Sequence, residues 1–302
     1  MASYSFDTVP ASITPFHYDL AIKTDIEQGK FEGKVVIYLK VWEDSQYISL
    51  QASRDLRFSG IQLARAQGSL ITFRCVANNP ETLEAELCAY VHRDDRLILT
   101  IGSEHKLFVG EIGVQLHLFW TGRIGRDVGE DGYLVRACRD SDGHQNALAL
   151  TRFHFNQAKT AYPCWDEPFL KATFALSMIN KQGLACVSCM PETSRPRGVQ
   201  VALAEGMMER EWRATHFATT LPIGISLFAW AAGPPECLQS AYVSAFTGKI
   251  MRVDGLVGER KILDGPADSK ESGLTVGEEH RIIAKPKMEK YHHLLDSFIV
   301  KV

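Results

Sequence analysis

Thr151–Thr173 reads TRFHFNQAKTAYPCWDEPFLKAT, and its centre decides how the chain folds. Between Ala161 and Pro168 stand a tyrosine, two prolines, a cysteine, a tryptophan and two acids. Pro163 and Pro168 fix φ and each removes a backbone donor. Each also drives its predecessor, Tyr162 and Glu167, towards an extended conformation. The segment is therefore neither helix interior nor central strand. It reads as a rigid, irregular crossing that buries Tyr162, Cys164 and Trp165 and has to satisfy Asp166 and Glu167. Buried polar groups are hydrogen-bonded, so both carboxylates are expected to accept bonds from nearby backbone or cations. A structural corner is the plain reading, and a catalytic carboxylate pair is its rival.

Working outward towards the N-terminus, the chain reads as short strands separated by Gly, Asp, Asn and Ser clusters. In FEGKVVIYLKVW, Phe31 to Trp42, one face carries Val35, Ile37, Leu39 and Val41 and the other Val36, Tyr38, Lys40 and Trp42. That period of two marks a half-buried strand. Further strands are expected at His17–Ile22, Tyr47–Leu50, Leu56–Leu63, Leu70–Val76, Leu83–Val91, Leu97–Ile101 and Val114–Thr121. On the C-terminal side they are expected at Ala172–Met178, Leu184–Met190, Glu211–Phe217 and Ile225–Trp230. Regular spacing without intervening helices argues an all-β sandwich. Asp254 to Val276 is rich in Gly, Asp and Glu, and residues 254–284 read as linker or loop. In residues 285–302, Met288, Tyr291, Leu295, Phe298 and Val302 form one apolar helical stripe. This tail is expected either to dock on the sandwich or to be offered to a partner.

The 302 residues are 45% hydrophobic and 23% charged with a formal net charge of −3, a composition of ordinary globular domains. No basic stripe marks a nucleic-acid partner, and no apolar run reaches the ~20 residues that span a membrane. Seven cysteines without framework spacing, no N-x-S/T sequon and no basic-then-apolar N-terminus point to a reducing, cytoplasmic setting. Cys186 and Cys189 form a lone CxxC in an apparent strand, which argues against metal or redox use.

The stretch AYPCWDEPFLKATF closely resembles the A-F-P-C-W-D-E-P-x-x-K-A-x-F signature of the aminopeptidase N family of gluzincin-type zinc metallopeptidases. The likeness runs from about Pro10 to Val253. SITPFHYDLAIKTDIEQGKFEGKVVIYLKV is similar to the family's opening P-x-H-Y-D-L and F-x-G-x-V-x-I strands. GEDGYLVRA stands where relatives carry a G-x-Y-R-S turn, LACVSCMPE resembles A-x-S-N-M-P, and AWAAG resembles A-F-x-x-G. The resemblance implies the saddle-shaped antiparallel β-sandwich of the family's N-terminal domain, also found in leukotriene hydrolase-like proteins, with the signature Ala161, Tyr162, Pro163, Cys164, Trp165, Asp166, Glu167 and Pro168 beside the active-site cleft. It also implies zinc in full-length relatives and peptide substrates held between this domain and a catalytic one. At the start of the signature relatives carry T-Q-x-E, where the Gln shapes a side-chain pocket and the Glu holds the peptide's free ammonium. The matching positions here are Arg152 and His154, an exchange that sets a cation beside an ammonium.

Gluzincin chemistry needs H-E-x-x-H on a helix to hold zinc and supply a general base. None of the ten histidines falls in that pattern, and G-x-M-E-N is absent. His292 and His293 point to different helix faces, and Glu278, Glu279 and His280 lack a second histidine at the right spacing. No G-x-S-x-G elbow occurs, Thr247, Gly248 and Lys249 lack the rest of a P-loop, and Gly122 to Gly132 lacks a dinucleotide context. The expectation is an N-terminal β domain present without its zinc domain, inactive by itself, with an apolar face around Trp165 for a protein partner. The rival is a stand-alone binding module in which Arg152 and His154 mark a repurposed surface. A third reading takes Asp254–Val302 as foreign to the fold.

Overall fold

The computed structural model describes residues 10–252, apart from 67, 76–87, 126–131, 140–144, 155, 197, 206, 236, 237, 239, 240 and 244–249. In chain order the elements are β1 (Ile13–Asp25), β2 (Lys30–Val41), β3 (Tyr47–Gln51), β4 (Arg57–Ala64), β5 (Leu70–Thr72), β6 (Arg74–Cys75), β7 (Ala89–Arg93), β8 (Arg96–Thr100) and β9 (Val114–Arg123). They continue with β10 (Gly132–Arg139), β11 (Gln145–Arg152), β12 (Lys171–Lys181), β13 (Ala185–Ser188), α1 (Gly198–Glu205), β14 (Trp212–His216), β15 (Ile223–Gly224), β16 (Trp230–Gly233), β17 (Ala241–Val243) and β18 (Ile250–Arg252). The chain divides into two compact units, one of Met1–Gln239 with Asp254–Gly258 and one of Ser240–Val253 with Glu259–Val302. In the second unit the described residues form the antiparallel pair β17–β18. The expected linker 254–284 and helical tail 285–302 lie outside the described residues.

The first unit is all-β in its main layers, as its period-two pattern requires. A large sheet runs β14-β12-β1-β2-β9-β4-β5, with β15 added to β12. Two smaller sheets run β10-β11-β16-β13 and β3-β8-β7-β6. Most pairs are antiparallel, but β1 and β12 pair in parallel from His17–Thr173 to Thr24–Asn180, and β6 pairs β7 in parallel. The inner face of the large sheet supplies Tyr18, Leu20, Ile22, Val35, Ile37, Leu39, Leu116, Leu118 and Trp120 to one continuous apolar core shared with the smaller sheets. On the outer face α1 lays Leu203 and Ala204 over Ala21, Val36 and Ile179. Nearby, the side-chain nitrogen of Gln200 donates to Leu176 O (3.4 Å) and Phe217 O (3.2 Å).

Several described segments differ from the sequence reading. Leu70–Val76 is not one strand. It splits at buried Phe73, whose N–H bonds Ile61 O, so that β5 continues the large sheet and β6 joins another. Ile225–Trp230 is not a strand either: Ile225–Leu227 is a 3-10 turn and β16 begins at Trp230. The reason is the burial of Ile225 and Phe228 together with exposure of Leu227; residues i and i+3 eclipse in a 3-10 turn, where a strand would alternate. GYLVRA is strand β10 rather than a turn, paired along its length with β11. Residues 83–87 of the strand expected at Leu83–Val91 lie outside the described residues, and Ala89–Arg93 forms its strand.

Candidate functional site: the signature corner

β11 ends at exposed Arg152. His154, also exposed, opens a tight reversal in which Gln157 N donates to His154 O (3.2 Å) and Asn156 takes φ 58°. Asparagine tolerates that left-handed conformation better than most residues. One 3-10 turn follows, Ala158–Thr160, and the chain then enters the signature.

Pro163 and Pro168 leave the crossing few donors of its own, so its bonds come from side chains and from a neighbouring strand. Cys164 forms a two-bond bridge with Gln51 at the end of β3: Gln51 N donates to Cys164 O (2.8 Å) and Cys164 N to Gln51 O (2.9 Å). The Gln51 side chain then serves both acids. Its Nε2 donates to Glu167 Oε1 (3.0 Å), and its Oε1 accepts from Asp166 N (2.9 Å). Asp166 Oδ2 accepts from Lys159 N (3.1 Å), closing the loop on itself. Lys159 in turn reaches Asp95 Oδ2 at 3.3 Å. Trp165 N donates to Tyr18 Oη (3.3 Å), and Trp120 Nε1 donates to Ala161 O (3.1 Å). The corner thus joins the large sheet to the β3-containing sheet through hydrogen bonds that a proline-bracketed loop could not make internally.

Aromatic packing completes it. Tyr162 is fully buried between Tyr18, Phe153, Phe228 and Trp230, with ring centroids 5.9–6.3 Å apart. Phe174 stacks on Tyr18 at 4.9 Å and on Phe228 at 4.4 Å. Apart from the slightly closer Phe174–Phe228 stack, these spacings fall in the favourable range for aromatic pairs. Trp165 is 2% exposed, so its ring is covered from within the domain and does not itself form an outward apolar face. Phe169, at 64% exposure, is the apolar side chain that the same stretch presents to solvent.

Burial sets the electrostatics. It pushes the Asp166 carboxyl up to about 6, against the opposing pull of the Lys159 N–H, the Lys159 ammonium and the Ala158 N–H. The thiol of Cys164 is likewise held above its usual range, first by burial and then by Asp166. Asp166 is therefore held by the backbone N–H of Lys159 together with the Lys159 ammonium. The structure separates the eight signature positions, of which Ala161 to Glu167 are buried, from Arg152 and His154, which are exposed on the preceding strand end. Gln51 is the residue the sequence reading lacks. It lies 113 positions before Cys164, and only the pairing of β3 with the crossing reveals it. Among the described residues no three His, Cys, Asp or Glu side chains gather where they could hold a metal ion, so these residues do not fit a zinc site. No helix of the described residues is long and apolar enough to cross a membrane.

Fold and corner together define a β domain whose sheets are pinned by a proline-bracketed signature. The chain belongs to the family described as Peptidase M1 N-terminal domain, which matches residues 14–227. It is similar to the puromycin-sensitive aminopeptidase of Caenorhabditis elegans, 27% identical over 263 residues that cover 86% of this chain and 24% of that protein. It is also similar to endoplasmic reticulum aminopeptidase 1 of Rattus norvegicus, 26% identical over 222 residues, 74% of this chain and 21% of that protein. A glutamyl aminopeptidase of Rattus norvegicus is 23% identical over 227 residues, with the same two coverages of 74% and 21%. The chain thus spans about a quarter or less of the length of these curated relatives.

Proposed function

We propose that this chain supplies the N-terminal wall of the substrate cleft of a zinc-dependent aminopeptidase, and that residues 1–302 hydrolyse no peptide by themselves. The observation that carries the reading is the signature corner, buried and with both carboxylates hydrogen-bonded, with exposed Arg152 and His154 before it. The zinc chemistry would be supplied by the ligands of a catalytic domain and by none of the described residues of this chain. The residues of this chain would shape the cleft mouth, orient the peptide and exclude solvent. A docking face for that catalytic domain is assigned to the rim at Phe169 rather than to the ring of Trp165. A cytoplasmic setting belongs to the same proposal, supported by free thiols at Cys75, Cys88, Cys164, Cys186 and Cys189.

Arg152 and His154 give the reading a specific consequence. Arg152 sets a cation where the resemblance implies a Gln, and His154 stands where it implies the ammonium-holding Glu, so a protonated peptide N-terminus is disfavoured by Coulomb repulsion and by loss of that carboxylate. In a chimera joined to the catalytic half of a relative, R152Q with H154E lowers KM for an alanyl-aminocoumarin substrate about tenfold relative to the unmodified chimera. An unchanged KM would remove these residues from the cleft. The 302-residue protein alone, loaded with zinc, releases no aminocoumarin; zinc-dependent release would overturn the assignment of the chemistry to another domain.

A further inference from the structure

The signature lies on the Trp120 side of β9, and the opposite face of the same strand carries a groove of about 350 Å³. Phe119, Met207, Lys34, Glu32, Ser59 and Gln62 are among the residues that line it. Strand register sets what shares this face. Lys34 pairs with Phe119 and Phe119 with Gly60; Glu32 pairs with Thr121 and Thr121 with Arg57; Lys30 pairs with Arg123. Successive side chains alternate between faces, so Lys30, Lys34, Arg57 and Arg123 stand on the groove side with Phe119, against Glu32 in the groove itself and Asp25 across from Lys30. Lys30 opens β2, Arg57 opens β4 and Arg123 closes β9, so register sets three cations beside the Glu32–Thr121 end of the groove, outside its own lining.

That placement is costly unless it is used. Like charges directly across a strand pair are destabilising, and Lys30 faces Arg123. Asp25 lies across from Lys30 on β1, but its carboxylate accepts from Gln28 N at 3.0 Å and sits 3.9 Å from Lys181. Glu209, the other acid nearby, pairs with Lys23. Among the described residues Lys30, Lys34, Arg57 and Arg123 are in no ion pair, while Arg57 Nη1 is anchored on Arg54 O at 2.9 Å. The excess is local, since the whole chain carries a net charge of −3. An apolar floor with amide and hydroxyl groups beside it, ending in a cationic mouth, asks for a ligand that is both apolar and anionic. Inorganic anions would use the mouth alone.

We propose that this groove binds an extended acidic peptide segment, with an apolar side chain on Phe119 and Met207 and carboxylates at Lys30, Arg57 and Arg123. The site is on the opposite face of β9 from the signature and does not depend on the peptidase reading.

The test is fluorescence anisotropy of a fluorescein-labelled peptide of alternating Leu and Glu with a Glu-rich end, titrated with the full 302-residue protein. Saturable binding is expected. R57Q with R123Q weakens it roughly tenfold, the equivalent of two exposed charge pairs near the upper end of their usual worth. F119S weakens it several-fold, and the same peptide with Gln in place of Glu binds at least tenfold more weakly. Raising NaCl from about 0.1 M to about 1 M, which shortens the Debye length from about 10 Å to about 3 Å, lowers the affinity. Arg57 and Arg123 are exposed, so circular dichroism of the double variant matches the parent. No saturable binding, or equal binding by the Gln peptide or by the double variant, overturns the proposal. Displacement of the peptide by inorganic phosphate at matched charge overturns the peptide assignment and leaves an anion site.

Discussion

At Tyr162 this chain departs by one hydroxyl from the phenylalanine of the signature it resembles, and the structure shows what that atom does. The ring is fully buried in the aromatic cluster, and among the described residues Oη has no hydrogen-bond partner. Burial also holds the phenol well above its usual range, so it stays neutral. A buried, unpartnered hydroxyl costs about 1–3 kcal/mol. Tyr162→Phe keeps the ring contacts and removes the cost, and is expected to stabilise the protein by about 1 kcal/mol in urea denaturation. A loss of stability would show that Oη has a partner. Asp166 gives a pH signature of unusual sign. Its folded value of about 6 lies above the ~3.9 of an unfolded aspartate. Between those values the native state holds more protons than the unfolded state, so stability contributed by this group is full below pH ~4 and is lost as pH rises through about 6. The size is on the order of 2–3 kcal/mol. Asp166→Asn keeps an acceptor for Lys159 N and cannot titrate. The stability difference between wild type and Asp166→Asn therefore falls from pH 4 to pH 7 against the variant. Parallel curves across that range would count against the shifted carboxyl. Both effects were half legible: the residues to bury could be read from their types, whereas Gln51, which bonds the Glu167 carboxylate and the Asp166 N–H, is visible only across sheets.

Among the elements, the long alternating strands were the most legible, because a half-buried strand writes its period into the sequence. β2 and β9 follow their expected ranges within two residues at either end. β10 and β11 were not read as strands. Gly132 opens β10 in a left-handed conformation, φ 105°, which resembles a turn when seen by composition alone. α1 was missed because it is eight residues long, too short to be stable from propensity; it exists because Leu203 and Ala204 dock on the outer sheet face. The groove was illegible for a related reason, since Lys30, Arg57 and Arg123 become neighbours only through register. Gly132 also explains how the corner is located. A Cβ there would lie 2.0 Å from Thr160 Oγ1, in the turn that feeds the signature. Gly132→Ala therefore strains the backbone and displaces Thr160, and is expected to cost at least about 2 kcal/mol. Thr160→Gly removes the obstruction but not the φ penalty. The double variant should regain part of the loss, and strictly additive costs would mean the two positions do not meet.

For the molecule as a whole, the distribution of the core says where independent stability resides. Every residue of the three apolar clusters lies between Ile13 and Leu238. The signature corner, the groove and the outer-face helix all draw on that same stretch. Parallel pairing of β1 with β12 ties residues 156 positions apart, His17 to Thr173, so the corner cannot form before most of the domain is in place. Such non-local pairing makes unfolding cooperative across the stretch and slows its formation. A chain ending at Gln239 keeps every core side chain of the described residues and every hydrogen bond given above for the corner. It is expected to melt in one transition, within a few degrees of the 302-residue protein, since about 1 kcal/mol moves the midpoint of a domain this size by roughly 2–4 °C. A chain ending at Leu227 loses Phe228, Trp230 and strand β16, on which Tyr162 packs. It should show no cooperative melt at all. Differential scanning calorimetry of the two chains separates the outcomes: if the chain ending at Gln239 also fails to melt cooperatively, residues beyond it contribute to the core, and the domain is larger than its apolar clusters indicate.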